Sequence, residues 1–198
     1  MPAAYNLKSQ SLDGLPLPVV VKPVRGRGSY GVKTVRMVED FLAGEEATVT
    51  VMPPKVGTSE YWALPVVSRY NHHDGVAPYN GVVAVTANSK VVIDSKNLAH
   101  EQVQRESERV AQVVGVTTAV RIDVRRLNDS PGSKFALFDV NVKPNMTGPG
   151  RPGRVDQASL SLIAAAALGY DYKELLRQIL STAASLKDVR ALTPLEVP

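Results

Sequence analysis

Carboxylate, amide and guanidinium side chains recur at a spacing of two in two apolar segments of the chain. Arg121 and Asp123 form one such pair, and Asp139 and Asn141 form the other. Alternate residues of a strand lie on one face, so two strands joined by the turn at 128–132 would bring both pairs together. Hard oxygen ligands from adjacent strands suit Mg²⁺, whose remaining positions are left to phosphate and water. A solvated sheet face that carries an ion pair explains the same residues equally well.

A lysine followed by a glycine-rich loop forms the second chemical motif. Lys22 closes a β-branched run, and residues 26–31 read Gly-Arg-Gly-Ser-Tyr-Gly. The ammonium group supplies a point charge for phosphate, and the glycines let backbone N–H groups approach the phosphate oxygens. The motif is not a P-loop, because the lysine precedes the glycines and no Gly-Lys-Ser/Thr follows. A tight surface turn is the alternative interpretation.

Hydrophobic periodicity assigns these residues to strands and helices. The patterns predict strands over 17–23, 46–52, 61–67, 81–85, 120–124 and 135–140, and helices over 98–114, 156–168 and 172–185. In the first helix, the four residues expected on one buried face are Val103, Val110, Val113 and Val114. Strand pairs followed by helices predict an α+β fold rather than a regular βαβ array.

The length, composition and net charge of the chain limit the classes of protein to which it can belong. A chain of 198 residues without cysteine forms one large or two small domains and has neither disulfides nor thiolate metal sites. Its net charge is +4, but the basic residues are scattered and aromatic residues make up only 6% of the chain, which disfavours nucleic-acid binding. No apolar run reaches the length of a membrane span, and residues 1–10 lack the apolar core of a signal peptide. We therefore expect a cytoplasmic protein that binds neither nucleic acid nor membrane.

Adjacent histidines precede an acidic residue in a polar stretch of the chain. His72, His73 and Asp74 could suggest a metal site. Adjacent side chains of an extended segment point in opposite directions, so we interpret this stretch as an exposed loop.

The motifs together resemble D-alanine–D-alanine ligases, a family of the ATP-grasp superfamily, over nearly the whole chain. The segments that carry the resemblance are Val21-Lys22-Pro23, the glycine loop, Val38-Glu39-Asp40-Phe41-Leu42-x-Gly44-Glu45-Glu46, Arg121-Ile122-Asp123 and Asp139-Val140-Asn141-x-x-Pro144-Asn145-Met146-Thr147. The resemblance implies an α+β ATP-grasp fold whose two small subdomains enclose a nucleotide. Residues 1–44 would form the glycine-loop subdomain and hinge, and residues 45–198 the metal and nucleotide subdomain.

The resemblance also implies a role for each motif residue. The residues implied to bind and cover the phosphates are Lys22, Gly28, Ser29 and Gly31. The residues implied to bind adenine and ribose are Glu39, Asp40, Phe41, Leu42 and Glu46. The implied ligands of Mg²⁺, or of Mn²⁺ in its place, are Asp123, Asp139 and Asn141. The residues implied to act at the reacting centre are Arg121, Arg69 and Asn145.

The implied activity is that of an ATP- and Mg²⁺-dependent ligase that joins a small-molecule carboxylate to an amine through an acylphosphate. The resemblance is also compatible with a homodimer. In the family, an N-terminal domain precedes the equivalent of Ala3 and a helix-sized segment lies between the equivalents of Val35 and Met37, so we expect this chain to be a fragment or a degenerate relative. A non-catalytic nucleotide-binding module, or a degenerate fragment, is therefore the alternative function.

Four features differ from the family's pattern. Asp139 replaces a glutamate, Asn145 replaces a glycine, and Arg69 replaces a catalytic lysine. Asn145 tolerates left-handed backbone geometry, so we expect its loop to be retained. The loop at 148–154 replaces the one that grips the second D-alanine, which disfavours D-alanine as substrate. Its two arginines could bind an anionic substrate, and a solvated loop is the alternative.

Overall fold

The computed structural model describes residues 4–6, 19–22, 37–72, 85–93, 97–130, 132–148, 152–153 and 157–191. Within these ranges the chain forms two antiparallel sheets and four α-helices. This architecture confirms the predicted α+β fold class. The division into subdomains at residue 44 stays a prediction.

The smaller sheet carries the backbone of Lys22 and of Glu39 and Asp40. Its strands are β1 (Ala4–Asn6), β2 (Val19–Lys22) and β3 (Met37–Asp40). The order is β1-β3-β2, with both neighbours antiparallel to β3. Lys22 is opposite Met37, and Glu39 is opposite Val20. The sheet therefore joins the strand of the phosphate motif to the strand that leads into the hinge.

The larger sheet has six strands in the described residues, all antiparallel to their neighbours. They are β4 (Glu46–Met52), β5 (Trp62–Ala63), β6 (Val67–Arg69), β7 (Ser89–Val91), β8 (Val120–Arg126) and β9 (Phe135–Asn141). Their order is β7-β6-β4-β8-β9, and β5 pairs with β4 beyond the end of β6. The two strands with the chemical residues, β8 and β9, are therefore adjacent at one edge.

Two strand predictions need correction. The strand predicted over 61–67 is two short strands, because Pro65 lies between them and has no N–H to donate to the ladder. The strand predicted over 81–85 is not observed at its described end: residues 81–84 lie outside the described residues, and Val85 begins a 3₁₀ turn, Val85–Ala87. The edge strand β7 follows that turn. It is only three residues long, too short to give a clear periodic signal.

The four helices are α1 (Leu98–Val114), α2 (Leu160–Ala166), α3 (Tyr172–Leu180) and α4 (Leu186–Arg190). Each begins after a residue whose side-chain oxygen accepts a backbone N–H: Asn97, Ser159, Asp171 and Ser185. The predicted bounds of α1 are confirmed, and Gly115 ends it with φ 67°. The cap at Ser159 explains why α2 begins at residue 160 rather than at 156.

The buried face of α1 differs from the predicted one. Its buried residues are His100, Val103, Ser107 and Ala111. Val113 and Val114 are 70% and 44% exposed. A repeat of three and four residues keeps the buried set in line along the helix, and Val113 and Val114 fall outside that line. Two polar residues therefore occupy positions that an apolar pattern does not reveal.

Alternating residues of the larger sheet pack in two different cores. The apolar residues of β4 and β8 that face α1 are Ala47, Val49, Val51, Val120, Ile122 and Val124. Met52 and Val67 pack on the opposite face with residues of α2 and α3. The face of the sheet that carries Met52 and Val67 also carries the polar side chains of β4 and β8, which are Glu46, Thr48, Thr50, Arg121, Asp123 and Arg125. No helix in the described part of the chain has both the length and the apolar character to cross a bilayer.

Candidate nucleotide and metal site

The register of β8 and β9 brings the two polar pairs together. Asp123 is directly opposite Asp139, and Arg121 is directly opposite Asn141. Residues opposite each other in an antiparallel pair lie on the same face, with Cβ atoms about 5 Å apart. A register shift follows between Asp123 and Val124 and leaves this pairing intact. The convergence expected from residue spacing is thus present in the sheet.

Residues of β4 and β6 extend this face into rows of cross-strand neighbours. Glu46 has Arg69 on one side and Arg125 on the other. Thr48 is opposite Asp123 in the next row, and Thr50 is opposite Arg121 in the third. The face therefore presents carboxylates, arginines and hydroxyls within a few ångströms of one another.

Arg121 holds Asp123 through two parallel hydrogen bonds. The distances are 2.9 Å from Nε to Oδ1 and 2.8 Å from Nη2 to Oδ2. The two side chains are only 6% and 16% exposed, which shields the pair from water. A bidentate guanidinium–carboxylate pair fixes the position and the orientation of both groups. Each carboxylate oxygen still has a lone pair for a further ligand.

The donor set of this face fits a magnesium ion. Asp123 and Asp139 supply carboxylate oxygens, and Asn141 supplies an amide oxygen, all of which are hard ligands. Among the described residues, no group of three or more His, Asp or Glu side chains is placed to hold a metal. A metal here would thus have two carboxylates and one amide, with phosphate and water to complete its coordination.

The hinge segment, residues 41–45, continues the antiparallel pairing along β8. Ala43 N donates to Leu127 O at 3.3 Å, and Gly44 N donates to Arg126 O at 3.1 Å. A Cβ atom on Gly44 would lie 2.4 Å from Asn128 O, so the close approach of the two backbones requires glycine.

Arg125 of β8 contacts the hinge at Gly44 and at Phe41. Its Nε donates to Gly44 O at 3.0 Å, and its guanidinium lies 5.1 Å from the centre of the Phe41 ring. Leu42 is buried beside it. The hinge residues expected to contact adenine are therefore fixed to the strand that carries Asp123.

Glu46 makes a contact that corrects the interpretation of the histidine pair. Nε2 of His72 lies 3.0 Å from Oε2 of Glu46, and the His72 side chain is 17% exposed. His72 is therefore part of the candidate site and not of an exposed loop. Nη1 of Arg125 lies 3.8 Å from the same oxygen.

Two residues expected at the reacting centre lie at different places on this framework. Arg69 ends β6 opposite Glu46 and is 5% exposed. Asn145 is exposed, and its Oδ1 accepts from Thr147 N at 3.0 Å. The loop closes here through this asparagine turn, and Asn145 does not have a positive φ.

Several expected site residues cannot be placed in this geometry. Gly28, Ser29 and Gly31 lie outside the described residues, as do Val35, His73 and Asp74. Lys22 and Glu39 have described backbones only. In the loop at 148–154, both arginines lie outside the described residues. The roles of these residues stay predictions.

No protein-family model matches the chain. Among curated proteins, D-alanine–D-alanine ligase A of Bacillus cereus is 25% identical over 202 residues, covering 92% of this chain and 60% of that protein. A D-alanine–D-alanine ligase of Bacillus anthracis is 26% identical over 196 residues, covering 89% of this chain and 58% of that protein. The chain thus spans about 60% of the length of the curated relatives that it matches.

Solved structures share the fold. The D-alanine–D-alanine ligase from Bacillus anthracis complexed with ATP has a TM-score of 0.51 at 22% identity and matches 74% of this chain and 39% of that chain. N5-carboxyaminoimidazole ribonucleotide synthetase from Thermotoga maritima has a TM-score of 0.51 at 16% identity, with 74% and 38% covered. The chain has an ATP-grasp fold. The sequence similarity among curated proteins is to D-alanine–D-alanine ligases.

The structure adds two side chains to the candidate site that residue patterns did not reveal. Arg125 extends the alternation of Arg121 and Asp123 along β8, so a longer strand prediction would have placed it on the same face. His72 reaches Glu46 through a local backbone turn. No periodic pattern reports such a turn.

A hydroxyl pair connects the site face to α2. Thr50 and Ser161 share a hydrogen bond of 2.9 Å, and both residues are buried. Thr50 is also the cross-strand neighbour of Arg121. The pair therefore fixes α2 beside the row of the sheet that carries Arg121 and Asn141.

Proposed function

We propose that this ATP-grasp chain is the nucleotide-binding part of an ATP- and Mg²⁺-dependent carboxylate–amine ligase. The observation that carries the proposal is the register of β8 and β9, which sets Arg121 and Asp123 opposite Asn141 and Asp139. The similarity to D-alanine–D-alanine ligases supports the reaction class. The bidentate hold of Arg121 on Asp123 supports a preorganised site, because neither group needs to be reoriented when phosphate arrives.

In this proposal the hinge and the polar face of the larger sheet bind different parts of the nucleotide. Residues 39–42 bind adenine, Glu46 binds the ribose hydroxyls, and Lys22 with the loop at 26–31 covers the phosphates. Mg²⁺ is held by Asp123, Asp139 and Asn141 and, when bound, neutralises charge on the phosphate oxygens. Mn²⁺ has the same ligand preferences and is expected to substitute for it.

The proposed reaction joins two small molecules at the expense of one ATP. A carboxylate oxygen of the first substrate attacks the γ-phosphorus, the bond to the β-phosphate oxygen breaks, and ADP leaves. An amine then attacks the resulting acylphosphate carbon, loses a proton and expels phosphate. Arg121 lies beside the metal-binding carboxylates, where a guanidinium can stabilise the charge of the transferred group.

Arg69 and the loop at 148–154 set the expected substrate class. Arg69 is a buried cation on the same face as Glu46, at the position where the family has lysine. Arginine presents a planar fork for carboxylate and phosphate in place of a point charge. We therefore expect small anionic carboxylates and amines to be preferred over D-alanine, in a cytoplasmic reaction where ATP is available.

The test is ADP release by the purified chain with ATP and Mg²⁺, with and without candidate amino-acid pairs. Asp123→Asn removes one metal-binding charge and is expected to lower the rate of ADP release by about 100-fold. Asp129→Asn is the matched control, because Asp129 is an exposed carboxylate in the turn at 128–130 of the same hairpin. We expect this control to match the wild type.

The outcomes separate turnover from binding. ADP release that depends on an amino-acid pair and on Asp123 supports the ligase. Nucleotide binding without ADP release by any pair supports a non-catalytic module instead. No binding of ATP with Mg²⁺ by the wild-type chain contradicts both.

A further inference from the structure

Glu46 is held by two neighbouring side chains on one of its two oxygens. His72 Nε2 lies 3.0 Å from Glu46 Oε2, and Arg125 Nη1 lies 3.8 Å from the same oxygen. The side chains of Glu46, His72 and Arg125 are only 11%, 17% and 12% exposed. A carboxylate oxygen can only accept, so His72 donates its Nε2 proton to Glu46. The low exposure shields this hydrogen bond from competition by water.

A backbone turn at Asn71 brings His72 to this position. β6 ends at Arg69, directly opposite Glu46, so an extended continuation would carry residue 72 past the carboxylate. Asn71 has φ 56°, in the left-handed region that asparagine accepts more readily than most residues. It is the one non-glycine residue with a positive φ in the described ranges. An unusual backbone angle that serves a buried polar contact points to a functional role for the contact.

The arrangement leaves the second oxygen of Glu46 for a ligand. Both neighbours contact Oε2, and no donor from the described part of the chain is hydrogen-bonded to Oε1. A carboxylate already fixed through one oxygen loses little side-chain entropy when the other accepts a hydrogen bond. Glu46 is therefore preorganised to accept from a hydroxyl group.

We propose that His72 is a positioning residue of the nucleotide site, which orients Glu46 toward the ribose hydroxyls. The inference rests on the proposed function, in which Glu46 accepts from those hydroxyls. His72 itself does not touch the nucleotide. Its contribution is selectivity for a ribose over a sugar without hydroxyls, since a site built to pair with a hydroxyl rejects the analogue that lacks it.

The test compares ATP with 2′,3′-dideoxy-ATP by calorimetric titration of the full chain in the presence of Mg²⁺. Wild-type protein is expected to bind ATP about tenfold more tightly than the analogue. His72→Ala is expected to weaken ATP binding by about tenfold and to leave the analogue unchanged, so that the affinity ratio falls toward one. His72→Phe keeps a ring but no donor and is expected to do the same, whereas His72→Gln keeps an N–H donor and should restore most of the ratio.

The matched control is His100→Ala, because His100 holds the neighbouring Glu45 at 3.3 Å on the opposite face of the sheet. We expect it to lower the melting temperature and to leave the ratio of the two affinities unchanged. An equal loss of affinity for both nucleotides in His72→Ala and His72→Phe would show a purely structural role and overturn the inference, as would an unchanged ratio. Wild-type protein that binds neither nucleotide would instead overturn the proposed function, and this inference with it.

Discussion

Two neighbouring glutamates make the same kind of contact on opposite faces of the larger sheet. Glu45 contacts Arg126 of β8 at 3.0 Å and His100 at 3.3 Å on the face of α1. Glu46 contacts His72 at 3.0 Å and Arg125 of β8 at 3.8 Å on the other face. We call these three-residue sets the helix-side triad and the site-side triad. Each contains one glutamate, one histidine and one of two adjacent arginines of β8.

The surroundings of the two triads differ. In the helix-side triad, Arg126 lies over the Phe135 ring at 4.4 Å, and its Nη1 donates to the backbone carbonyl of Ser133. The guanidinium group of Arg126 therefore makes its contacts within the protein. The ring of His100 also packs against Phe135, with centroids 5.4 Å apart. In the site-side triad, Arg125 makes contacts with two partners: its Nη1 lies near Glu46, and its Nε donates to Gly44 O of the hinge. The same three residue types therefore stabilise the fold in the helix-side triad, whereas in the site-side triad they leave one oxygen of Glu46 able to accept a hydrogen bond from a ligand.

The largest expected effect comes from the glycine on which both triads depend. Gly44→Ala would place a Cβ 2.4 Å from Asn128 O and 2.7 Å from Arg126 Cβ, so the backbone must move. Because Gly44 also bonds to Arg126 and Arg125, both triads shift together. We expect the free energy of unfolding to fall by about 3 kcal/mol and ATP binding to be lost. Urea unfolding and calorimetric titration measure the two effects.

Ala43→Ser is the control for this change, since Ala43 is the exposed neighbour of Gly44. It is expected to alter the free energy of unfolding by less than about 0.5 kcal/mol. A Gly44→Ala protein with wild-type stability and affinity would show that the two triads do not depend on the hinge geometry.

A smaller effect, confined to the helix-side triad, is expected from Glu45→Gln. Burial alone would raise the pKa of Glu45, but hydrogen bonds from His100 and Arg126 lower it from 4.5 to about 2. A carboxylate with a lowered pKa in the folded state stabilises that state above its unfolded pKa, and this stability is lost as the pH falls from about 4.5 to about 2. At pH 7 we expect Glu45→Gln to lose about 2 kcal/mol, after allowance for partial solvent screening. ATP affinity should be retained.

Urea unfolding of both proteins between pH 2 and pH 7 checks this prediction. The wild-type and Glu45→Gln curves should lie apart at neutral pH and converge as the pH falls, because only the wild type has a carboxyl group to protonate at residue 45. Curves that remain parallel down to pH 2 would contradict the assigned pKa and its cause.

These two glutamates also show what sequence reasoning can and cannot reach. Glu45 directly precedes β4 and Glu46 is the first residue of that strand, and alternation along an extended segment places adjacent side chains on opposite sides. The same rule placed Asp123, Asp139 and Asn141 correctly, because a single hairpin turn fixes their register. His100 was not foreseen, since a polar residue buried by a carboxylate partner breaks the apolar pattern of α1. The contact of His72 was missed because it depends on one backbone angle, that of Asn71.

The last prediction concerns the smallest difference, the coupling within each glutamate–arginine pair. A double-mutant cycle of Glu45→Gln and Arg126→Met isolates the first pair, and a cycle of Glu46→Gln and Arg125→Met isolates the second. We expect a coupling free energy of about 2 kcal/mol in the helix-side triad, where Nε of Arg126 donates directly to Glu45. In the site-side triad we expect less than about 1 kcal/mol, because 3.8 Å is too long for a direct hydrogen bond and Nε of Arg125 is used by Gly44. Equal couplings in the two cycles would mean that Glu46 stabilises the fold to the same extent that Glu45 does, and that its acceptor capacity is not kept for a ligand.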